Sequence, residues 1–268
     1  MLQQGALSGI KVVEFSNQVA GSFCARLLGD AGADVVKVEP PKGDRYRQTG
    51  PYPEGSFDPE WSGLFLYLNS NKRGVVLDID VSGGRSAFLD LVSAADFLVV
   101  GENSVKIERL GLRREKLVKT NQGLIVTSIT PFGLTGPDSS YIGDDLIAIG
   151  TGGMAYATPG IPDMVEDADV EPPLRSNTYM SGYLAGVQGA VASVAALLSR
   201  KIQGVGCEID LSIQEAVASV MPFELAHASY YESKTRRPEI FGVMPNAYLP
   251  CKDAVSYTHL TLPTNREV

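Results

Sequence analysis

Histidine is nearly missing from this chain: there are two in 268 residues, His227 and His259. Serine and cysteine nucleophiles usually rely on a histidine base, so their scarcity argues against that chemistry. No Gly-x-Ser-x-Gly elbow is present either. His227 stands beside Tyr230 and Tyr231 in a helical stretch, where packing is its expected role. Cysteine is equally sparse. Cys24, Cys207 and Cys251 are widely scattered with no Cys-x-x-Cys spacing, which predicts reduced thiols and neither a disulfide frame nor a zinc site. Acidic residues such as Asp144 and Asp145 lack nearby His or Cys, so no metal site is expected.

Positive charge is also short, with 23 Lys and Arg against 31 Asp and Glu and a net charge of −8. A broad nucleic-acid surface needs the opposite balance; a local basic pocket for one anionic ligand does not. Long apolar runs are missing too. The longest, Tyr183 to Leu198, includes Gln188 and Ser193 and falls short of the roughly 20 residues that span a bilayer, so it predicts a buried helix and no membrane partner. The N-terminus carries neither the basic region nor the apolar run of a signal peptide. A cytoplasmic protein is expected.

What is present is an alternation. Apolar residues make up 44% of the chain, ample for a large core. "IKVVEFS", "ADVVKVEP", "GVVLDID", "DFLVVGEN", "LIVTSITPFG" and "CEIDLS" read as strands. Between them, "SFCARLLGDAG", "GGRSAFLDLVSAA" and "KIERLGLRREKLVKTN" read as helices. Continuous apolar strands joined by amphipathic helices predict an α/β fold with a parallel sheet. The run beginning near Arg175 places Leu184, Val187, Val191, Val194 and Leu198 on one helix face, with Ala185, Ala192, Ala195 and Ala196 admitting close neighbours. The stretch before it, "TPGIPDMVEDADVEPP", is expected to be a solvated loop. A further helix from Ile213 is interrupted by Pro222. The tail "AVSYTHLTLPTNREV" shows no periodicity that continues the fold and is expected to be foreign to it.

The first strand–helix–strand unit raises the question of a dinucleotide, since Glu39 ends its second strand where a ribose-binding acid would sit. The loop "FSNQVAGSF" has Gly21 as its single glycine, too few for a pyrophosphate to approach the backbone. NAD binding is not expected.

Six segments then stand in order: "LSGIKVVEFSNQVAGSFCARLLGDAGADVVKVEPPKGD", "LNSNKRGVVLDI", "FGLTGP", "PPLRSNTYMSGYLAG", "CEIDLSIQEA" and "LPCKD". From Leu7 to Asp253 this series resembles the family III CoA-transferases, the group of formyl-CoA and carnitine CoA-transferases, related to α-methylacyl-CoA racemase. The resemblance implies a Rossmann-like large domain and a small domain, with protomers interlocked as dimers. It implies a large CoA-binding domain over 1–213 that needs C-terminal return segments for completion, a linker helix over 214–237 and the start of a small domain over 238–253. The tail at 254–268 lies outside that pattern. A truncated product with exposed core surfaces and poor solubility is expected.

The implied activity moves CoA from an acyl-CoA donor to a small carboxylic acid through a carboxylate nucleophile. CoA is then a substrate, and no permanently bound cofactor is expected. The family's nucleophilic aspartate falls at Gly182, which has no side chain. Three readings stay open: a partner-dependent subunit whose acid-bearing paralogue supplies the carboxylate, a substitute at Asp145, Asp169 or Glu171, or a one-base change from Asp. The partner is accordingly a second copy or such a paralogue. Racemase chemistry calls for a histidine where Gly143-Asp144-Asp145 stands, and is not expected. The resemblance assigns CoA contacts to Ala20, Leu77, Ile79, Asn103 and Arg109, with Arg109 suited to a phosphate. The family's first-loop glutamine is displaced here within Asn17-Gln18-Val19.

Overall fold

The computed structural model describes residues 5–54, 57–158, 172, 176–221, 226, 228–230, 249–250 and 256–257. Six strands form one parallel sheet: β1 (Lys11–Ser16), β2 (Asp34–Glu39), β3 (Lys72–Val76), β4 (Phe97–Gly101), β5 (Ile125–Thr130) and β6 (Glu208–Ser212). Their order across the sheet is β3-β2-β1-β4-β5-β6. The chain therefore winds outward from β1 in one direction, returns, and winds outward in the other. That reversal lies between β1 and β4, and in such sheets ligands bind beyond the carboxyl ends of the strands at the reversal.

Helices cover both faces. On one side lie α1 (Val19–Asp30), α6 (Asp145–Thr151), α8 (Met180–Gln203) and α9 (Ile213–Ala218). Their core joins Ala20, Cys24, Ala25 and Leu28 of α1 to Val12, Val35, Val99 and Ile129 of the sheet and to Ala185 and Leu197 of α8. The other side carries α3 (Ser82–Ser93), α4 (Ser104–Arg109) and α5 (Arg114–Leu117). There Phe88, Val92, Ile107 and Leu117 pack on Val13, Phe15, Leu98 and Val126. A short α2 (Gly63–Leu68) precedes β3. The α/β parallel sheet expected from the alternation is the observed fold.

Three details depart from the sequence reading. The third strand stops at Val76, so Leu77 to Asp80 form the loop that leads into α3. The helical stretch after β4 is two helices, broken at Gly111, whose φ of 60° is one that side chains rarely tolerate. The largest departure concerns α8. Its buried face is made of Ser181, Gly182, Ala185, Gly186, Gly189, Ala190, Ser193, Ala196 and Leu197. The apolar stripe expected within a buried helix instead faces outward, with Val191 65% and Leu198 58% exposed. By length and composition α8 passes for a membrane span, yet half of it is buried against the rest of the fold, as in a core helix.

The chain divides into two compact units: 1–152 with 176–220, and 153–175 with 221–268. The first unit extends to Val220, with α9 packed on α8. The second unit contains α7 (Met154–Ala157) and a two-residue antiparallel pairing of Leu249–Pro250 with Ser256–Tyr257. His227, His259, Cys251, Asp169, Glu171 and most of the loop expected before α8 lie outside the described residues.

Candidate active site

A buried charge cluster shapes the carboxyl edge of the sheet. Register places Glu14 of β1 beside Lys37 of β2. Lys37 Nζ reaches Glu14 Oε1 and Asp44 Oδ2, both at 2.8 Å, and Lys72 Nζ reaches Glu14 Oε2 at 2.6 Å. All four side chains are almost completely buried, and Ser22 Oγ also donates to Glu14 at 2.9 Å. Two cations and two anions thus neutralise one another away from water, the condition under which buried charge is tolerated. Burial pushes Glu14 upward, but Lys37 and Lys72 outweigh it and hold the carboxyl below its ordinary 4.5.

That cluster fixes the next piece of chain. Held by Lys37, Asp44 accepts from Tyr46 N at 2.8 Å and starts the 3-10 turn Arg45–Gln48. Behind this turn Arg47 grips Glu39 through two bonds of 2.8 and 2.9 Å. The Tyr46 hydroxyl accepts from Val19 N at 3.2 Å, satisfying an orphan donor at the start of α1. Buried around this contact, the Tyr46 phenol is pushed up to about 12, chiefly by desolvation.

Tyr46 and Arg45 form one wall of a narrow cleft of about 40 Å³. Gln18, Val19 and Ala20 supply the α1 end, Asp144 and Asp145 the start of α6, and Tyr179, Ser181 and Gly182 the start of α8. Asp144 caps α6 by accepting from Ile147 N at 3.3 Å. Asp145 does the corresponding service for its neighbour: its Oδ1 accepts from Ser181 N at 2.9 Å and Ser181 Oγ at 2.7 Å. It therefore anchors the N-terminus of α8, where negative charge is favoured. Gln18 Oε1 is buried in this region with no hydrogen-bond partner. The displaced glutamine of the first loop is thus at the cleft after all.

The expected site residues separate into two places. Ala20, Gly182 and Asp145 meet at the cleft. Arg109 lies on α4, paired with Asp80 at 2.5 Å, both more than half exposed. Asn103 caps α4, accepting from Lys106 N at 2.8 Å. Ile79 is buried in the core with Phe15 and Phe88, while Leu77 packs partly buried against the same cluster. Cys24 is no thiolate nucleophile, since burial, with Glu14 adding to it, pushes its thiol up to about 12.

Gly182 has a packing role that motif reading missed. A Cβ there would stand 2.8 Å from Val19 Cβ and 2.9 Å from Val19 Cγ1. At Gly186 it would meet Ala20 O at 2.9 Å, and at Gly189 it would meet Ile129 Cδ1 at 2.8 Å. The three glycines form a seam, four and then three residues apart, along which α8 lies against α1 and β5. That spacing was a readable signal.

A doubly wound α/β protein with a polar cleft at the carboxyl edge of its sheet is the class these features define. The chain matches CoA-transferase family III over residues 7–266 and belongs to that family. It is 34% identical over 246 residues to the succinyl-CoA:(R)-benzylsuccinate CoA-transferase subunit BbsE of Thauera aromatica, covering 92% of this chain and 58% of the relative. It is 33% identical over 224 residues to the acetyl-CoA:oxalate CoA-transferase of Acetobacter aceti, covering 83% and 54%. A crystal structure of a CaiB/BaiF family protein from Brucella suis superposes with a TM-score of 0.80 at 30% identity, over 94% of this chain and 65% of that one. The chain thus spans a little over half the length of these curated relatives.

Proposed function

We propose that the chain serves the transfer of CoA from an acyl-CoA donor to a small carboxylic acid, with Asp145 as the reacting carboxylate. The observation that carries this reading is the meeting of Asp145, Gln18 and Arg45 in one cleft at the carboxyl edge of the sheet. A carboxylate attacking the thioester carbonyl expels CoA thiolate and forms a mixed anhydride. The thiolate then attacks the protein's own acyl carbon, releasing the donor acid and leaving a protein-bound thioester. The acceptor carboxylate displaces that thiolate to form a second anhydride. The thiolate attacks its acceptor acyl carbon, and the protein carboxylate is regenerated. Each exchange joins groups of similar energy, which is why a carboxylate suits it.

A second reading is supported by the packing at Gly182. There the chain is a CoA-binding partner that carries no nucleophile, and an acid-bearing paralogue completes the dimer. Three relatives are named as subunits, in keeping with such an arrangement. Incubation with succinyl-CoA followed by hydroxylamine separates the two. A hydroxamate at Asp145, lost in Asp145→Asn, is the expected result for the first reading. Asparagine keeps an acceptor for Ser181 N while removing the nucleophile. CoA binding by calorimetry without any adduct favours the second reading.

Arg109 is proposed to hold a CoA phosphate, and Asp80 then competes for the same guanidinium. Hydrogen bonding and charge from Arg109 hold the Asp80 carboxyl below its ordinary value, so the competitor is ionised at neutral pH. Asp80→Asn is expected to tighten CoA binding about threefold, the scale of an exposed pair, and Arg109→Ala to weaken it. Calorimetry showing equal affinity in all three proteins would remove Arg109 from the site.

A further inference from the structure

Arg45 is the cation that the cleft leaves uncommitted. Among the described residues it makes no ion pair, whereas Arg47, two positions on, is bound to both Glu39 and Glu60. The backbone is nevertheless held firmly. Arg45 N donates to Asn17 Oδ1 at 3.1 Å, and the guanidinium lies 5.0 Å from the ring centroid of Tyr46. Tyr46 is in turn pinned by Val19 N and Asp44. A charged fork presented on a fixed aromatic platform is arranged to receive a planar anion.

The rest of the lining differs in sign. Asp144 and Asp145 begin α6, and Gln18 supplies a buried carbonyl oxygen with no partner. The cleft is narrow, about 40 Å³. A thioester whose acyl group is a monoacid brings no charge to Arg45. One made from a dicarboxylic acid keeps its second carboxylate ionised after the first has been joined to sulfur.

We propose that Arg45 is a specificity residue that binds the free carboxylate of a dicarboxylic acyl group, selecting dicarboxylic over monocarboxylic CoA esters. The inference rests on the reading that this cleft receives the acyl end of a CoA ester. Alkyl burial cannot supply the same discrimination, because replacing the terminal carboxylate by methyl leaves the acyl chain nearly the same length. Removing the charge therefore acts on one ester and spares the other. Arg45 is exposed and contributes to no core cluster, so its substitution leaves the fold in place.

Calorimetric titration of the full 268-residue chain with succinyl-CoA, butyryl-CoA and free CoA tests this. Succinyl-CoA is expected to bind about tenfold tighter than butyryl-CoA, the scale of one charge-assisted pair at a partly open site. Arg45→Met is expected to abolish the preference by weakening the succinyl ester alone, and Arg45→Lys to restore part of it. A matching thermal melt for each variant excludes unfolding as the cause. An unchanged ratio in Arg45→Met, with CoA still bound, overturns this inference alone. No binding of any of the three to the unmodified chain overturns the CoA-transfer reading and this inference together.

Discussion

Replacing Lys37 by methionine is expected to destabilise the first unit by about 3–5 kcal/mol, a large share of a typical stability of about 5–15 kcal/mol. The side chains are similar in length, so the loss comes from charge rather than volume. Glu14 and Asp44 both rely on Lys37 Nζ at 2.8 Å in a site almost without solvent. Lys72 cannot replace it. Burial, with the charge of Lys37 adding to it and Glu14 opposing, drives Lys72 down to about 8, so it is the weaker cation of the two. Lys72→Met is accordingly expected to cost less than Lys37→Met. Urea unfolding followed by circular dichroism measures both, and a loss below about 1 kcal/mol for Lys37→Met would show the cluster to be dispensable.

Acid reaches the same cluster from the other side. Glu14 is held below 4.5 in the folded protein, so its contribution is present above that value and lost as pH falls through the lower, folded one. Stability should therefore decline steeply below about pH 4.5, and less steeply in Glu14→Gln. The consequence extends to function, because Asp44 is the link between the cluster and the turn carrying Arg45 and Tyr46. If the cleft receives acyl-CoA as proposed, a protein that survives Lys37→Met should bind it more weakly although no cleft residue has changed.

The four central strands, β2, β1, β4 and β5, were legible because their apolar runs are buried on both faces, and the parallel α/β class follows from that pattern. The same habit of reading obscured the cluster. Glu14 in "VVEFS" and Lys37 in "DVVKVE" look like interruptions of apolar strands, and only the register shows that they oppose each other. The α8 helix misled for a related reason. Large side chains dominate periodicity, so the pattern favours Val187, Val191 and Val194 as the packed stripe. Close approach of two helices instead selects the smallest residues, and the glycines carry no weight on a hydrophobic scale. The cleft was partly legible: the resemblance points to Ala20 and Gly182, and Asp145 stands among the three candidate substitutes. Tyr46 and Arg45 were not, since neither belongs to a quoted motif role and their place depends on a contact from Lys37 to Asp44. Ile79, for which the resemblance implies a CoA contact, has its side chain in the core.

Gly182→Asp puts the two explanations of the missing nucleophile into direct competition. If the position merely lost its carboxylate, restoring aspartate should create a hydroxylamine-trappable adduct in an otherwise normal fold. The seam predicts otherwise: destabilisation of about 1–3 kcal/mol by overpacking, and no adduct. A new Cβ would stand 2.8 Å from Val19 Cβ, which cannot rotate away because it is fixed to the α1 backbone. Relief requires the start of α8 to lift from α1, and that movement draws Ser181 from Asp145. Greater helix propensity for aspartate returns only a few tenths of a kcal/mol. Val19→Ala offers a graded check, since it removes the Cγ1 contact at 2.9 Å but leaves the Cβ contact at 2.8 Å. The double variant should recover part of the stability and no more. Thermal melts of the four proteins, with mass spectrometry after succinyl-CoA and hydroxylamine, decide the matter. A normal melt and an acylated Asp at 182 would mean that the seam yields to a carboxylate. A lowered melt partly rescued by Val19→Ala, with no adduct, would mean that glycine is required by the packing and that no carboxylate acts from this position.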